Sequence, residues 1–160
     1  MLDVNNIEKL SHLSFKVKKF LQFYPWKDCR PAIDTSLSKD LNQSRVAIVS
    51  SAGFVVDGRQ DSFNTGMRFG DPSFRIISSS VMSDQLKEYQ KSDGFDHSGI
   101  KEDPFSAMPI QHLYDLDDEG FIGSVSDRHI SLMGSTINTK ELTKSTMPDI
   151  ISVLQTDKVD

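Results

Sequence analysis

The chain has 160 residues, 37% of them hydrophobic and 26% charged, enough for one ordinary domain with a real core and a wetted outside. Eighteen Lys plus Arg against 23 Asp plus Glu give a net charge of -5, so there is no overall attraction for a polyanion such as nucleic acid. The longest apolar stretches, such as Val46 to Val49 and Ile150 to Leu154, fall far short of the roughly 20 residues a bilayer span needs. The first twenty residues lack the basic start, apolar centre and small-residue cleavage site of a signal peptide, so a cytoplasmic protein is expected.

In chain order, Asn5 with Glu8 three positions on signals a helix start. Ile7, Leu10, Phe15 or Val17, and Leu21 then fall near one face, while Lys9, Lys16, Lys18 and Lys19 dominate the other. Two readings are open: a helix docked on its own domain with a solvated lysine face, or a basic amphipathic helix that meets a membrane surface or a partner. Pro25 ends it, and Phe23, Tyr24 and Trp26 form an aromatic cluster expected to pack where this arm meets the domain. Cys29 is the only cysteine, so the chain can build neither an internal disulfide nor a Cys-x-x-Cys pair nor a cysteine-rich zinc site. Its thiol, beside Arg30, is either incidental or activated by that neighbour. Residues 1–36 are therefore read as a helix and irregular lead-in, and residues 37–160 as an α/β domain.

Arg45 to Val49 is a short β-branched run followed by Ser50, Ser51, Ala52 and Gly53, the pattern of a buried parallel strand entering a loop. Loops at the carboxyl ends of strands form the ligand crevice of open α/β sheets, which makes Ser50, Ser51 and Gly53 candidate binding residues; the alternative is that small residues merely let the chain turn. Phe74 to Ile77 alternates into a second strand closed by Ser78, Ser79 and Ser80. Residues 83–108 read as a short helical turn around Leu86 to Tyr89 within a long loop, and a loop of that length in a compact domain is usually functional or disordered. Pro109 opens a helix through Leu113 that Gly120 stops, and a strand follows around His129 to Met133. Ser145 or Thr146 can cap a last helix with Pro148 in its first turn and an apolar face of Met147, Ile150, Ile151 and Leu154. Strand, loop, helix, strand, helix argues for a three-layer α/β domain. A right-handed crossover would return the chain to a further parallel strand beginning at Val159, so a fragment or a frame ended early is expected.

Two further groups of residues carry candidate chemistry. Asp71-Pro72-Ser73 is a turn signal, and Arg75 just beyond it suits a carboxylate clamp or an internal pair with Asp71. Asp96-His97, in a segment that also holds Asp93, Glu102 and Asp103, suits a general acid with an orienting carboxylate, or oxygen and imidazole ligands for a metal, although no metal-site spacing surrounds it. His129 reads as a satisfied structural histidine, His12 and His112 as solvent-facing, and Asp115, Asp117, Asp118 and Glu119 as a solvated helix face.

Gly70-Asp71-Pro72-Ser73-Phe74-Arg75, Phe95-Asp96-His97-Ser98-Gly99 and Ser131-Leu132-Met133-Gly134 occur in that order. With them stand Arg45 to Val49 before Ala52-Gly53, then Asp103, Pro109 with Leu113, and Gly120-Phe121-Ile122. From about Leu37 onward this set resembles the selenoprotein B subunits of the glycine/sarcosine/betaine reductases and, more closely, the selenocysteine-bearing small subunit of D-proline reductase. The resemblance implies a three-layer, mostly parallel flavodoxin- or Rossmann-like sheet, incomplete at the carboxyl end. It also implies reductive cleavage of a C–N bond in an amino acid or betaine: a selenolate attacks the substrate's α-carbon after the pyruvoyl group of a partner subunit has formed a Schiff base with the amine. The selenocysteine is expected downstream of Val159, so this chain alone would lack the nucleophile. Family motif and chemistry together assign pocket-lining roles to Arg75 for anion binding, His97 for proton transfer, and Asp71 and Asp96 for orientation. The alternative function is a non-catalytic α/β interaction module that binds a partner through the amino-terminal helix.

Overall fold

A computed structural model of the chain describes residues 13–24, 36–92, 95–137 and 139–160. They fall into two units divided between Ser36 and Leu37. In the first, helix α1 (Phe15–Phe23) starts at Ser14, whose hydroxyl accepts the Val17 N–H, and none of its residues is buried. The helix start expected at Asn5 and Glu8, the stop at Pro25, and Trp26 and Cys29 lie outside the described residues.

The second unit is mixed α/β, as the strand and helix order predicts. Its strands are β1 (Arg45–Val46), β2 (Val49–Ser50), β3 (Phe54–Val56), β4 (Phe74–Ser78), β5 (Leu86–Glu88), β6 (Ser124–Val125) and β7 (Arg128–Leu132). Its helices are α2 (His97–Glu102), α3 (Ile110–Asp118), α4 (Thr139–Glu141) and α5 (Met147–Thr156). β1 pairs with β6 and β2 with β7, both parallel, while β4 joins the other side of β7 in an antiparallel ladder from Phe74 opposite Leu132 to Ser78 opposite Arg128. β3 and β5 form a separate antiparallel pair. The sheet is therefore mixed, and its longest ladder is antiparallel, where a mostly parallel three-layer sheet was expected.

The predicted strand Arg45 to Val49 is interrupted at Ala47 and Ile48. The reason lies on its partner: Val46 faces Val125 and Val49 faces Ile130, so the second chain takes two extra residues between the rungs. A ladder so interrupted leaves a backbone N–H to be satisfied by other means. The fully buried His129 does this, its Nδ1 accepting the Ile48 N–H at 3.0 Å.

Within the stretch Leu86 to Tyr89, expected to be a helical turn, Leu86–Glu88 form β5 instead. A turn at Ser83–Gln85 is closed when Gln85 Oε1 accepts the Met82 N–H, after which Leu86 is buried and the backbone pairs with Val56. Burial of Leu86 and the available ladder outweigh a weak helical pattern. Thr146 stands where a cap for α5 was expected, but its hydroxyl donates to the Pro72 carbonyl at 2.8 Å and a π-helical turn, Leu142–Thr146, runs straight into the helix. Ile150 is buried on α5, whereas Ile151, expected on the same apolar face, is 52% exposed. α3 ends as predicted, with Gly120 at φ +73. The main core lies between the β3–β5 pair and the three-stranded sheet, where Phe54, Ile77 and Met108 are completely buried.

Candidate functional site

β2 and β7 run parallel, so their carboxyl ends open on the same side, and the loops that leave them are 51–53 and 133–136. In the first loop the Gly53 N–H donates to the Leu132 carbonyl at 2.8 Å and the Gly53 carbonyl accepts the Tyr89 N–H at 2.9 Å. Gly53 has φ +71, and a Cβ there would stand 2.7 Å from the Gln90 nitrogen, so only glycine lets these backbones approach. The Ser50 hydroxyl donates to the Ala107 carbonyl and accepts the Ala52 N–H, while Ser51 offers its carbonyl to Gln90 Nε2 at 3.1 Å. Ser50 thus shapes the turn, and Ser51 and Gly53 pack against Gln90.

Gln90 is the residue around which these loops gather. Its Oε1 accepts the Lys91 N–H at 2.8 Å, the Ser92 N–H at 3.1 Å and the Ser135 hydroxyl at 3.2 Å, and its Nε2 lies against Gly134, where a Cβ would be 2.6 Å away. Ser135 follows at φ +50, a region non-glycine residues seldom occupy. A fourth segment joins these loops: a Cβ on Gly70 would be 2.8 Å from the Ser135 carbonyl, the Ile137 N–H donates to Phe69 O, and Lys91 Nζ donates to Met67 O. Met67, Arg68, Phe69, Gly70, Pro72 and Glu141 line a hollow of about 140 Å³ beside these loops.

Asp71 and Arg75 anchor that fourth segment. Asp71 accepts the Asn64 N–H at 2.7 Å, the Ser73 N–H at 2.9 Å and the Ser73 hydroxyl at 2.6 Å. Burial alone would raise its pKa; the hydrogen bonds from Asn64 and Ser73, with the Arg75 charge behind them, hold it below the usual carboxylate value. Arg75 meets Asp71 through the shared Ser73 hydroxyl, and its other donors go to the carbonyls of Asp61, Ser62 and Phe74 while its guanidinium lies 4.4 Å from the Phe63 ring centroid. Four protein acceptors thus occupy the group read from sequence as an anion clamp.

Asp96 and His97 are adjacent in sequence but separate in role. Asp96 caps α2, accepting from the Ser98 hydroxyl and the Ser98 and Gly99 N–H groups, which lower its pKa, the hydroxyl most. The carboxylate on His97 belongs to Glu88, with Oε1 2.6 Å from Nδ1, and His97 Nε2 faces the Ser92 carbonyl at 3.0 Å. Two acceptors face the two ring nitrogens, so both bonds are made only by the protonated imidazole. Asp93 lies outside the described residues. Through Ser92 the pair connects to Gln90; through the Thr136 hydroxyl, 3.4 Å from the Asp71 carbonyl, the Asp71 turn connects to the 133–136 loop.

Glu88 and Gln90 were not singled out in the sequence. The alternation Leu86 inward, Lys87 outward, Glu88 inward was the available signal for Glu88, hidden by reading that stretch as helix. For Gln90 no local signal exists. His129, by contrast, is the structural histidine anticipated, though inside β7 and not before it. Among the described residues no group of three His, Cys, Asp or Glu side chains is placed to hold a metal, and no helix is long and apolar enough to cross a membrane.

The fold and site define a mixed α/β domain in which the loops at the carboxyl ends of two parallel strands gather around Gln90. Its sequence matches the model of the glycine/sarcosine/betaine reductase selenoprotein B family over residues 7–160, and the chain belongs to that family. A similar protein is the sarcosine reductase complex component B subunit beta of Peptoclostridium acidaminophilum, 24% identical over 131 residues. The match covers 81% of this chain and 28% of that protein, so the chain spans less than a third of its relative's length. No solved structure is significantly similar to the chain.

Proposed function

We propose that the chain is part of a selenoprotein B type subunit in a multi-component reductase that cleaves a C–N bond of a small amino acid or betaine, the class comprising glycine, sarcosine, betaine and D-proline. The observation that carries this reading is the family match along residues 7–160, with a sarcosine reductase component among the relatives. Residues 37–160 contain no cysteine, so the selenolate nucleophile and the pyruvoyl electron sink are contributed by other parts of the assembly.

Polar groups gather at this end of the parallel strands: Ser131, opposite Ser50 on one side and Arg75 on the other, is completely buried with a hydroxyl that has no protein partner. The loops add the Ser51 and Ser135 hydroxyls and the backbone of Gly134. His97, held by Glu88, is the proton source for a departing amine, and Asp96 acts one step back by fixing the start of α2. Asp71 and Arg75 hold the segment from Asp61 to Phe74 in place.

The test is an assembly purified with this chain from its native source, supplied with dithiothreitol and each of the four substrates in turn. One C–N cleavage product formed per dithiol oxidised, methylamine in the case of sarcosine, is the expected result. Absence of substrate-dependent dithiol oxidation with all four would refute the reading. A second reading, a partner-binding module, is favoured by α1, whose Phe15, Phe20 and Phe23 are exposed beside Lys16, Lys18 and Lys19. Assembly of the complex unchanged on deleting residues 1–24 would count against it.

A further inference from the structure

We propose that the outer edge of β1 and β2 docks one further strand, parallel to them, contributed by the remaining length of a selenoprotein B type subunit. The inference rests on family membership and on the geometry of this edge, and is independent of the reaction proposed above.

Successive residues of a strand direct their backbone groups to opposite sides. The carbonyls of Ser44, Val46 and Ile48 all turn toward β6 and β7, accepting from the N–H groups of Ser124, Ser126 and Ile130, and the Ile48 N–H turns the same way to His129. The backbone groups of Arg45, Ala47 and Val49 therefore face the opposite side. Among the described residues those of Ala47 and Val49 have no partner. Val49 is 51% exposed, whereas Ile130 opposite it in β7 is completely buried. An edge of unpaired N–H and C=O groups beside a buried sheet centre is the template on which an extended segment adds.

Arg45, the third residue on that side, shows how the occupant enters. Its carbonyl accepts the Asp160 N–H at 3.1 Å, and its own N–H donates to Asp160 Oδ2 at 2.9 Å. Lys39 holds the same carboxylate at 2.7 Å. Just before it, Arg128 binds Asp157 through two N–H donors at 2.8 and 2.6 Å, which fixes the end of α5 at the start of β7. Backbone that leaves β7, crosses through α5 and returns to the start of β1 meets the edge running in the direction of β7, so the added strand is parallel. The Asp160 bond to the Arg45 carbonyl also sets its register, with the next rungs falling on Ala47 and then on Val49. The match covers 28% of the sarcosine reductase component, so relatives of this domain carry polypeptide enough to supply the strand.

The test compares amide hydrogen exchange, at single-residue resolution, in the isolated chain and in the assembly purified with it from the native source. The Ala47 and Val49 amides are expected to exchange freely in the isolated chain and roughly a hundredfold more slowly in the assembly, while the Ile48 amide, held by His129, is protected in both. Equal exchange of Ala47 and Val49 in the two samples overturns the inference. Val49→Pro removes the outward N–H without touching the β2–β7 bonds, so the isolated chain should melt close to wild type while recovery of the assembly falls roughly tenfold. Val49→Thr, which keeps the N–H, should assemble normally. Assembly of Val49→Pro at the wild-type level also overturns the inference, and the exchange comparison decides by itself if that variant does not fold. The dithiol assay on the wild-type assembly decides the reductase reading separately.

Discussion

Acid should unfold this domain through one histidine. His129 is completely buried, and burial pushes its pKa from 6.5 down to about 4. Its Nδ1 accepts the Ile48 N–H, so the neutral ring carries its proton on Nε2 and donates to the Ser79 hydroxyl, which in turn donates to the Ser126 carbonyl. Protonating Nδ1 sets two donors against each other at the point where the parallel pairing passes from β1–β6 to β2–β7. Between about pH 6.5 and pH 4 the unfolded chain binds this proton and the native chain does not, so native stability from this group is full above pH 6.5 and falls with pH. The loss is about 2 kcal/mol by pH 5 and levels off near 3 kcal/mol below pH 4, a large part of a domain's total. Urea unfolding of wild type and His129→Gln from pH 7.5 to pH 4 measures it, with an NMR titration of the imidazole alongside. The variant is expected to be less stable at pH 7.5 but to lack the pH slope. Equal slopes in the two proteins, or a His129 pKa near 6.5, would refute the argument. The carboxylates do not confuse this window, since Asp71, Asp96, Asp157 and Asp160 are all held below 3.8 and act at lower pH.

Arg75→Lys should cost about 2 kcal/mol in urea unfolding, because a single ammonium cannot serve four acceptors and lie on Phe63 as the planar group does; a neutral result would mean the Asp61 to Phe63 contacts are not formed. Gly134→Ala should destabilise by about 1–3 kcal/mol through positive φ and collision with Gln90, and pairing it with Gln90→Ala should recover part of the loss. Additive losses in that double variant would show that the carboxamide does not sit on Gly134. Ile77→Ala, in the centre of the core, should cost about 2–5 kcal/mol, with a loss under 1 kcal/mol speaking against its complete burial.

Much of the scaffold was legible in the sequence, and the failures share a cause. β4, α3 with its glycine stop, and β7 follow from β-branched runs, Pro109 and Gly120, signals that act over a few residues. β3 and β5 were missed because three-residue strands carry almost no periodic pattern, and each exists only because the other is there to pair with it. Of the candidate residues, the sequence placed Ser51 and Gly53 on the loop that leaves a parallel strand and identified the Asp71 turn. It assigned the wrong carboxylate to His97, since Asp96 is the neighbour in sequence and Glu88 the neighbour across β5.

Local chemistry, then, determined where the chain turns, the longer strands and helices such as β4, β7 and α3, and the motifs of its family, because those signals act over residues close together along the backbone. Only the tertiary structure decided the partners of the polar side chains: carbonyls for Arg75, Glu88 for His97, and the Ser51, Ser92 and Ser135 loops for Gln90. A hydrogen bond is made with whatever group folding brings within about 3 Å, and the Ser135 hydroxyl lies 45 residues from the carboxamide that receives it.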